Sequence, residues 1–248
     1  MEINVENFKS FLKKATFNFS IESVQIIIDG DRIQSKMINE EGTAIVNLDV
    51  ENNVFTGIED KQELNFSLPF KQLIPFLNLL DEEEADIKLN DEKMVIISGR
   101  QKSNIHFCSP QIVTVFGADS PRSEVKPFLV MDIDENFISS FNKIKKIGQK
   151  FGKIYFTVDN NSLIMETEDK INRFSNSLKF NLIDKLENET DNLILEFKYK
   201  NMTDLMTLVS DEGFKLSLFY IKDQEMGMAH VKSLDGCEKY FLMSKMET

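Results

Sequence analysis

The residues best suited to chemistry in this 248-residue chain are lysines at helical spacing. Lys143, Lys146 and Lys150 recur at i, i+3 and i+7, which places them on one side of a helix, and Lys9 and Lys13 share a side at i, i+4. Ammonium groups in such a row neutralise phosphates without reading a base sequence, so the pattern is typical of a surface that holds a polyanion. A merely solvated helix face has the same pattern, and the residues alone leave both interpretations open.

The distribution of charge favours a polyanion surface. The chain has 29 Lys and Arg against 41 Asp and Glu, a formal net charge of −12 at pH 7. Four windows around the expected helices together carry +9, so the remaining residues carry −21. The windows are Val5–Thr16, Phe70–Leu80, Phe137–Lys153 and Lys198–Ser210. An acidic body with basic helices attracts a polyanion at one surface and repels it elsewhere.

Motifs for catalysis or metal binding are missing from the sequence. It has neither G-x-x-x-x-G-K-S/T nor G-x-G-x-x-G, no C-x-x-C, and two histidines in all. His106 and Cys108 lie in an alternating strand without a second ligand pair, and Asp29–Asp31 indicates a turn. We therefore expect a binding protein with no catalytic residue, no cofactor and no metal site. An enzyme that assembles a carboxylate pair in space is the weakest alternative.

The sequence also limits where in the cell the protein is expected. No apolar run approaches the ~18 residues that a membrane span needs. The start, Met1–Asn4, lacks the basic and apolar regions of a signal peptide, and two cysteines cannot form a disulfide framework. We expect no membrane association and a reducing intracellular location, in the cytoplasm or nucleus of a cell or an infected host. Heavy use of Lys, Asn and Ile hints at a viral source.

The elements that must position the lysines form a repeat. Residues 118–127 contain two of the five prolines and no periodicity, which indicates a linker between domains 1–117 and 128–248. Each half shows a strand, an amphipathic helix and hairpin strands, and then the same order again. Strands outnumber helices and are mostly joined by short turns, so we predict an α+β fold: two similar domains of antiparallel sheets with two helices each.

This order of elements resembles the DNA sliding clamps, of the proliferating-cell-nuclear-antigen kind and of tailed phages. Local likeness is best at Phe8–Ala15, at Arg32–Met37 leading into Thr43–Val50, and at the C-terminal Glu238–Lys245. The resemblance implies a ring of three subunits whose helices line a hole for duplex DNA. It also implies that the ring is a processivity factor that tethers DNA polymerase and is handled by a clamp loader, both binding through short peptides.

The resemblance assigns three sets of residues. The DNA-lining set is Lys9, Lys13, Lys14, Lys71, Lys143, Lys146, Lys150, Lys198 and Lys200, of which the last two are expected to precede their helix. The partner-peptide pocket is Ala44, Ile45, Val125, Tyr240, Leu242, Met243 and Ser244. The subunit interface pairs the strand of Ile112, Val113, Thr114, Val115 and Phe116 with Arg173–Phe180, including Arg173, Ser175, Ser177, Leu178 and Phe180.

Two departures from the family pattern bear on these sets. Ser244 stands where cellular clamps usually have proline, which alters the rim of the pocket. Pro75 falls inside the second predicted helix and should kink it or shift its start. The residues also leave a rival open, an acidic two-domain interaction or regulatory module that makes no contact with DNA.

Overall fold

The computed structural model describes residues 1–58, 63–109, 125–168, 177–183, 193–209, 213–221 and 225–246. The chain divides into two compact units, Met1–Gly117 and Ala118–Thr248. Most of the expected linker, residues 118–124, lies outside the described residues, as does the predicted strand at 112–116.

The first unit contains two helices and nine strands in its described part. In chain order they are β1 (Glu2–Asn4), α1 (Val5–Ala15), β2 (Ser23–Asp29), β3 (Arg32–Ile38), β4 (Ala44–Glu51), β5 (Phe55–Thr56), β6 (Leu64–Pro69), α2 (Phe70–Leu77), β7 (Glu84–Leu89), β8 (Lys93–Ser98) and β9 (Gln101–His106). Antiparallel pairing gives the strand orders β5-β1-β7-β8-β9 and β4-β3-β2-β6.

The second unit has the same plan. Its described elements are β10 (Leu129–Asp132), α3 (Glu135–Gly148), β11 (Lys153–Asp159), β12 (Ser162–Thr167), β13 (Leu178–Ile183), β14 (Leu193–Lys198), α4 (Tyr199–Leu208), β15 (Phe214–Ile221), β16 (Met226–Ser233) and β17 (Glu238–Met246). The strand orders are β10-β15-β16-β17 and β13-β12-β11-β14, and β14 also pairs with β17.

Both units are built from two copies of strand, helix and three-strand meander that exchange their first strands. In the first unit β1 pairs with β7 and β6 with β2, and in the second β10 pairs with β15 and β14 with β11. The strand before each helix thus completes the sheet of the other copy. The predicted α+β fold of two similar domains with two helices each is confirmed.

Local sequence explains why α1 and α3 begin where they do. The side chain of Asn4 accepts a hydrogen bond from the Asn7 amide, and that of Asp134 accepts one from the Phe137 amide. Such caps satisfy amides that have no partner within the helix. Each helix then buries an apolar face at helical spacing, which includes Phe8 and Leu12 in α1.

The other two helices differ from the sequence expectation. α2 starts at Phe70 as predicted but ends at Leu77, before Leu80, and it contains Pro75, which has no N–H to donate to the carbonyl one turn earlier. α4 starts at Tyr199, so the expectation that Lys200 precedes its helix is wrong. Lys198 occupies the N-cap position of α4 without a side-chain capping hydrogen bond, and Lys200 lies in the first turn.

Each helix packs against the sheets and against the other helix of its unit. α1 contacts β3, β4 and α2, and α3 contacts β12, β13 and α4. The core beneath the helices is apolar and aromatic, with Phe8, Phe137 and Phe156 at most 1% exposed. Burial of large apolar side chains is the main stabilising contribution to such a layer.

Candidate nucleic-acid interface

Helix α3 carries the most basic exposed face among the described helices. Its core side is Phe137, Phe141 and Ile144, all buried. The opposite side has four exposed lysines, which are Lys143, Lys145, Lys146 and Lys150, the last just beyond the end of the helix. We call Lys143, Lys146 and Lys150 the α3 lysines. Cations near a helix C-terminus interact favourably with the helix dipole, so lysines at this end of α3 do not destabilise the helix.

Contacts with α4 hold the C-terminal end of α3 in place. The Tyr199 hydroxyl donates a hydrogen bond of 2.9 Å to the Lys145 carbonyl. Gly148 lies so close that a Cβ there would be 3.0 Å from the Tyr199 ring. The turn that bears the α3 lysines is therefore anchored by packing, and only the lysine side chains remain to adjust to a ligand.

Lys143 also contacts a strand of the sheet. Its Nζ lies over the Phe180 ring of β13, 5.5 Å from the ring centroid, which is a cation–π geometry. Lys146 and Lys150 are in no ion pair within the described part of the chain. These two lysines are the most available to an anion.

The lysines on the other helices are partly neutralised. Lys9 pairs with Glu6 at 2.9 Å and its side chain is 23% exposed, while Lys13 and Lys14 are half-buried. Lys71 pairs with Glu22, and Lys200 with Asp204 at 2.9 Å. Lys198 is exposed at the cap of α4. The Lys71–Glu22 pair is exposed on both sides and therefore weak, so Lys71 can exchange its carboxylate for a phosphate. Lys9 and Lys200 would gain less from a phosphate than the α3 lysines, because each already has a carboxylate partner.

The residues expected in the partner pocket are mostly buried. Ala44 and Ile45 are each 1% exposed at the start of β4, and Val125 is half-buried. On β17, Tyr240, Leu242 and Ser244 alternate with Phe241 and Met243, and successive side chains of a strand point to opposite faces. The β17 members of the predicted set therefore do not share one face.

The side chains of β17 show what the sequence expectation missed. Tyr240 is fully buried, its hydroxyl donates to the Glu238 carboxylate at 2.9 Å, and burial raises its pKa well above the ordinary value. Phe241, on the same face as Met243, stacks on His230 with ring centroids 4.4 Å apart. Strict alternation along the strand would have placed Phe241 and Met243 on the face opposite Tyr240 and Leu242, although Phe241 is buried as well, at 2% exposed.

The predicted subunit interface is described in part. Leu178 and Phe180 are half-buried on β13 and Ser177 is exposed before it, while 112–116, Arg173 and Ser175 lie outside the described residues. Within the described part, β13 has a neighbouring strand, β12, on one side only. The strand ends at Ile183, three residues beyond the predicted Phe180, and Lys179 ties it to the buried Glu166 of β12 through a 2.5 Å ion pair.

Other site types find no support in the described residues. They contain no group of three or more His, Cys, Asp or Glu placed to hold a metal ion. None of the described helices is both long enough and apolar enough to cross a membrane.

Comparison of structures, and not of sequences, reveals similarity to known proteins. No protein-family model matches the sequence, and no curated protein matches it significantly. The PCNA of Thermococcus kodakaraensis superposes with a TM-score of 0.65 and 12% identity, covering 99% of both chains. The PCNA of A. fulgidus, in a structure with the C-terminal region of FEN-1 bound, gives 0.65 and 12%, over 100% of this chain and 97% of that one.

Bacterial clamps superpose equally well over part of their length. The beta subunit of the Streptococcus pyogenes DNA polymerase gives a TM-score of 0.68 at 10% identity, covering 100% of this chain and 64% of that one. The chain thus spans slightly less than two thirds of that subunit. Together these matches establish that the chain has the fold of the DNA sliding clamps.

Proposed function

We propose that this chain is the subunit of a DNA sliding clamp, a processivity factor that encircles duplex DNA and tethers a DNA polymerase. The observation that carries the proposal is the end-to-end correspondence with PCNA, which covers 99% of both chains. The function is that of a binding protein and not of an enzyme.

Duplex DNA would be held by topology and by weak contacts to phosphates. The α3 lysines would provide the main contacts, with Lys9, Lys13, Lys14, Lys71, Lys198 and Lys200 as weaker ones. Phosphate contacts position a protein without reading bases, and the acidic remainder of the chain repels DNA from other surfaces. Such contacts exchange readily, which is what sliding requires.

Three copies would close the ring. The chain has two units and matches a whole PCNA chain, but it covers 64% of a bacterial clamp subunit. A ring of six such units would therefore need three copies of this chain. The side of β13 that has no neighbouring strand among the described residues is a candidate edge for pairing with the strand expected at 112–116 of the next copy. Unpaired sheet edges tend to associate, so closure would also protect this edge.

Partners would bind through short peptides, as proposed for the polymerase and the clamp loader. The PCNA of A. fulgidus is similar to this chain and its structure contains the C-terminal region of FEN-1. For this chain the candidate residues are Ala44, Ile45, Val125, Tyr240, Leu242, Met243 and Ser244. Because Tyr240, Phe241 and Leu242 are at most 2% exposed, the half-buried Met243 is the β17 residue best able to contact a peptide.

Light scattering and DNA binding test the proposal together. A trimer has three times the 28.7 kDa of one chain, about 86 kDa. Replacing the α3 lysines by Glu should weaken retention on circular DNA without changing that mass. The matched control replaces Lys88, Lys93 and Lys102, which lie on β7, β8 and β9. A stable monomer, or equal effects of both triple variants, would contradict the proposal and favour an interaction module without DNA contact.

A further inference from the structure

Three lysines lie side by side across the sheet of the second unit. Lys215 of β15 is the register partner of Lys232 of β16, and Lys232 is the partner of Lys239 of β17. Register partners point to the same face, and neighbouring strands are about 4.8 Å apart, so the three Cα atoms span roughly 10 Å. We call Lys215, Lys232 and Lys239 the basic row.

Little within the described residues compensates the basic row. Lys215 pairs with Asp132 at 3.7 Å, with both side chains more than half exposed, whereas Lys232 and Lys239 are in no ion pair there. Like charges directly opposite one another destabilise a sheet. The row is therefore a surface on which an added anion gains more than it would beside an already paired lysine.

The two carboxylates near Lys232 and Lys239 in sequence accept hydrogen bonds from neutral groups. Asp235, in the turn after β16, accepts hydrogen bonds from the Ser233 hydroxyl and the Cys237 amide, and these hold its pKa below the ordinary value. Glu238 accepts the Tyr240 hydroxyl. The Lys232 side chain lies against the same turn. A Cβ at Gly236 would be 2.9 Å from the Lys232 Cε, so the glycine leaves room for the lysine.

A histidine lies beside the basic row. His230 precedes Lys232 by two residues on the same face of β16 and stacks on Phe241. Its pKa is lowered to about 4, mainly by burial and then by the charges of Lys232 and Lys239. Both ammonium groups therefore act on the same side of the sheet.

The row is separate from the α3 lysines. Acidic residues Asp134 and Glu135 at the start of α3 line the same surface depression as Lys215 and Asp132. The α3 lysines begin eight residues further along the helix axis, about 12 Å away. A continuous phosphate backbone that touched both surfaces would have to pass these carboxylates, which disfavours one nucleic acid over both.

We propose that the basic row is a docking site for an acidic peptide segment of a partner protein. Charge complementarity identifies the occupant: three lysines within roughly 10 Å match two or three carboxylates close together in a short segment, on a chain that otherwise carries excess negative charge. The site does not require a closed ring or bound DNA, so it is independent of the proposed function.

A peptide titration tests the proposal on the full-length protein. The probe is fluorescein-labelled (Glu-Asp)3, followed by anisotropy at low salt, with (Gln-Asn)3 and a single-stranded oligothymidylate of the same net charge as comparisons. Lys232→Gln with Lys239→Gln should weaken binding of the acidic peptide about fivefold, as expected for two lost exposed ion pairs. Lys232→Arg with Lys239→Arg should retain binding, because the charges remain.

The matched control is Lys88→Gln with Lys102→Gln, two exposed lysines on the sheet of the first unit. We expect it to bind the acidic peptide as the wild type does. Equal loss in the control and in the basic-row variant would overturn the proposal, because the interaction would then be unspecific. Preferential binding of the oligothymidylate with the same dependence on Lys232 and Lys239 would also overturn it, by assigning the row to nucleic acid.

Discussion

His230 should make the second unit sensitive to mild acid. Its ring stacks on Phe241, with centroids 4.4 Å apart, and lies tilted to Phe219, with centroids 6.4 Å apart. Its Nε2 is buried without a hydrogen-bond partner in the described part of the chain. Burial, and then Lys232 and Lys239, lower its pKa from 6.5 to about 4. The folded protein therefore holds this imidazole neutral where the unfolded chain would protonate it.

The sign and size of the effect follow from proton linkage. Between pH 6.5 and about 4 the unfolded state binds more protons at His230, so the free energy of unfolding falls as the pH falls. From pH 7.5 to 5.5 the loss due to this group is about 1.3 kcal/mol. Below about pH 4 the loss of free energy of unfolding due to His230 reaches its limit, about 3 kcal/mol.

Urea unfolding of the wild type and of His230→Phe at pH 7.5 and 5.5 measures this loss. The phenyl ring keeps the stacking and cannot take up a proton, so the variant should lose about 1.3 kcal/mol less than the wild type. His230→Gln, which is also not titratable here, should behave in the same way if it folds. His106→Gln, at an exposed histidine of β9, is the control and should keep the wild-type loss.

The reasoning would be refuted if His230→Phe and His230→Gln lost as much free energy of unfolding as the wild type between the two pH values. It would also be refuted if His106→Gln removed the same amount. The first result would mean that the imidazole of His230 is not kept neutral by its surroundings, and the second that the loss is not specific to His230.

Three further predictions concern charge and packing. Replacing the α3 lysines by Gln should reduce the slope of log affinity for duplex DNA against log salt by about 2.7, as measured by anisotropy. Lys179→Met should lower the free energy of unfolding by about 1–3 kcal/mol, since it leaves the buried Glu166 carboxylate without its cation, and Lys179→Arg should not. Gly227→Ala should cost about 1–3 kcal/mol because its Cβ would overlap Leu195. In urea unfolding, Leu195→Ala should recover part of that loss, and an additive double variant would contradict the overlap.

The helices show how far local sequence predicts the fold. Apolar spacing located α1 and α3, and the caps Asn4 and Asp134 lie at positions where Asn and Asp are favoured. The end of α2 was predicted three residues too late, because Leu80 is buried outside the helix and therefore continued the apolar pattern beyond Leu77. Burial and helical structure are separate properties, and periodicity alone does not distinguish them at a helix end.

The candidate site was predictable in its lysines but not in their partners. The spacing of Lys143, Lys146 and Lys150 was sufficient to place them on an exposed face. Contacts between residues distant in sequence were not visible, such as the pairing of Lys71 with Glu22 and the position of Lys143 over Phe180. The register that aligns the basic row also depends on how three strands pair, which the sequence of any one strand does not determine.

Retention on circular DNA tests the proposal of an encircling clamp most directly. Subunits dissociated by dilution at high salt can be reassociated in the presence of a nicked plasmid and separated from free protein by gel filtration. We predict that the protein co-elutes with the circular plasmid at moderate salt and is released when a restriction enzyme linearises it. Equal retention on circular and linear plasmid, or no retention by a protein whose mass is that of a trimer, would contradict encirclement.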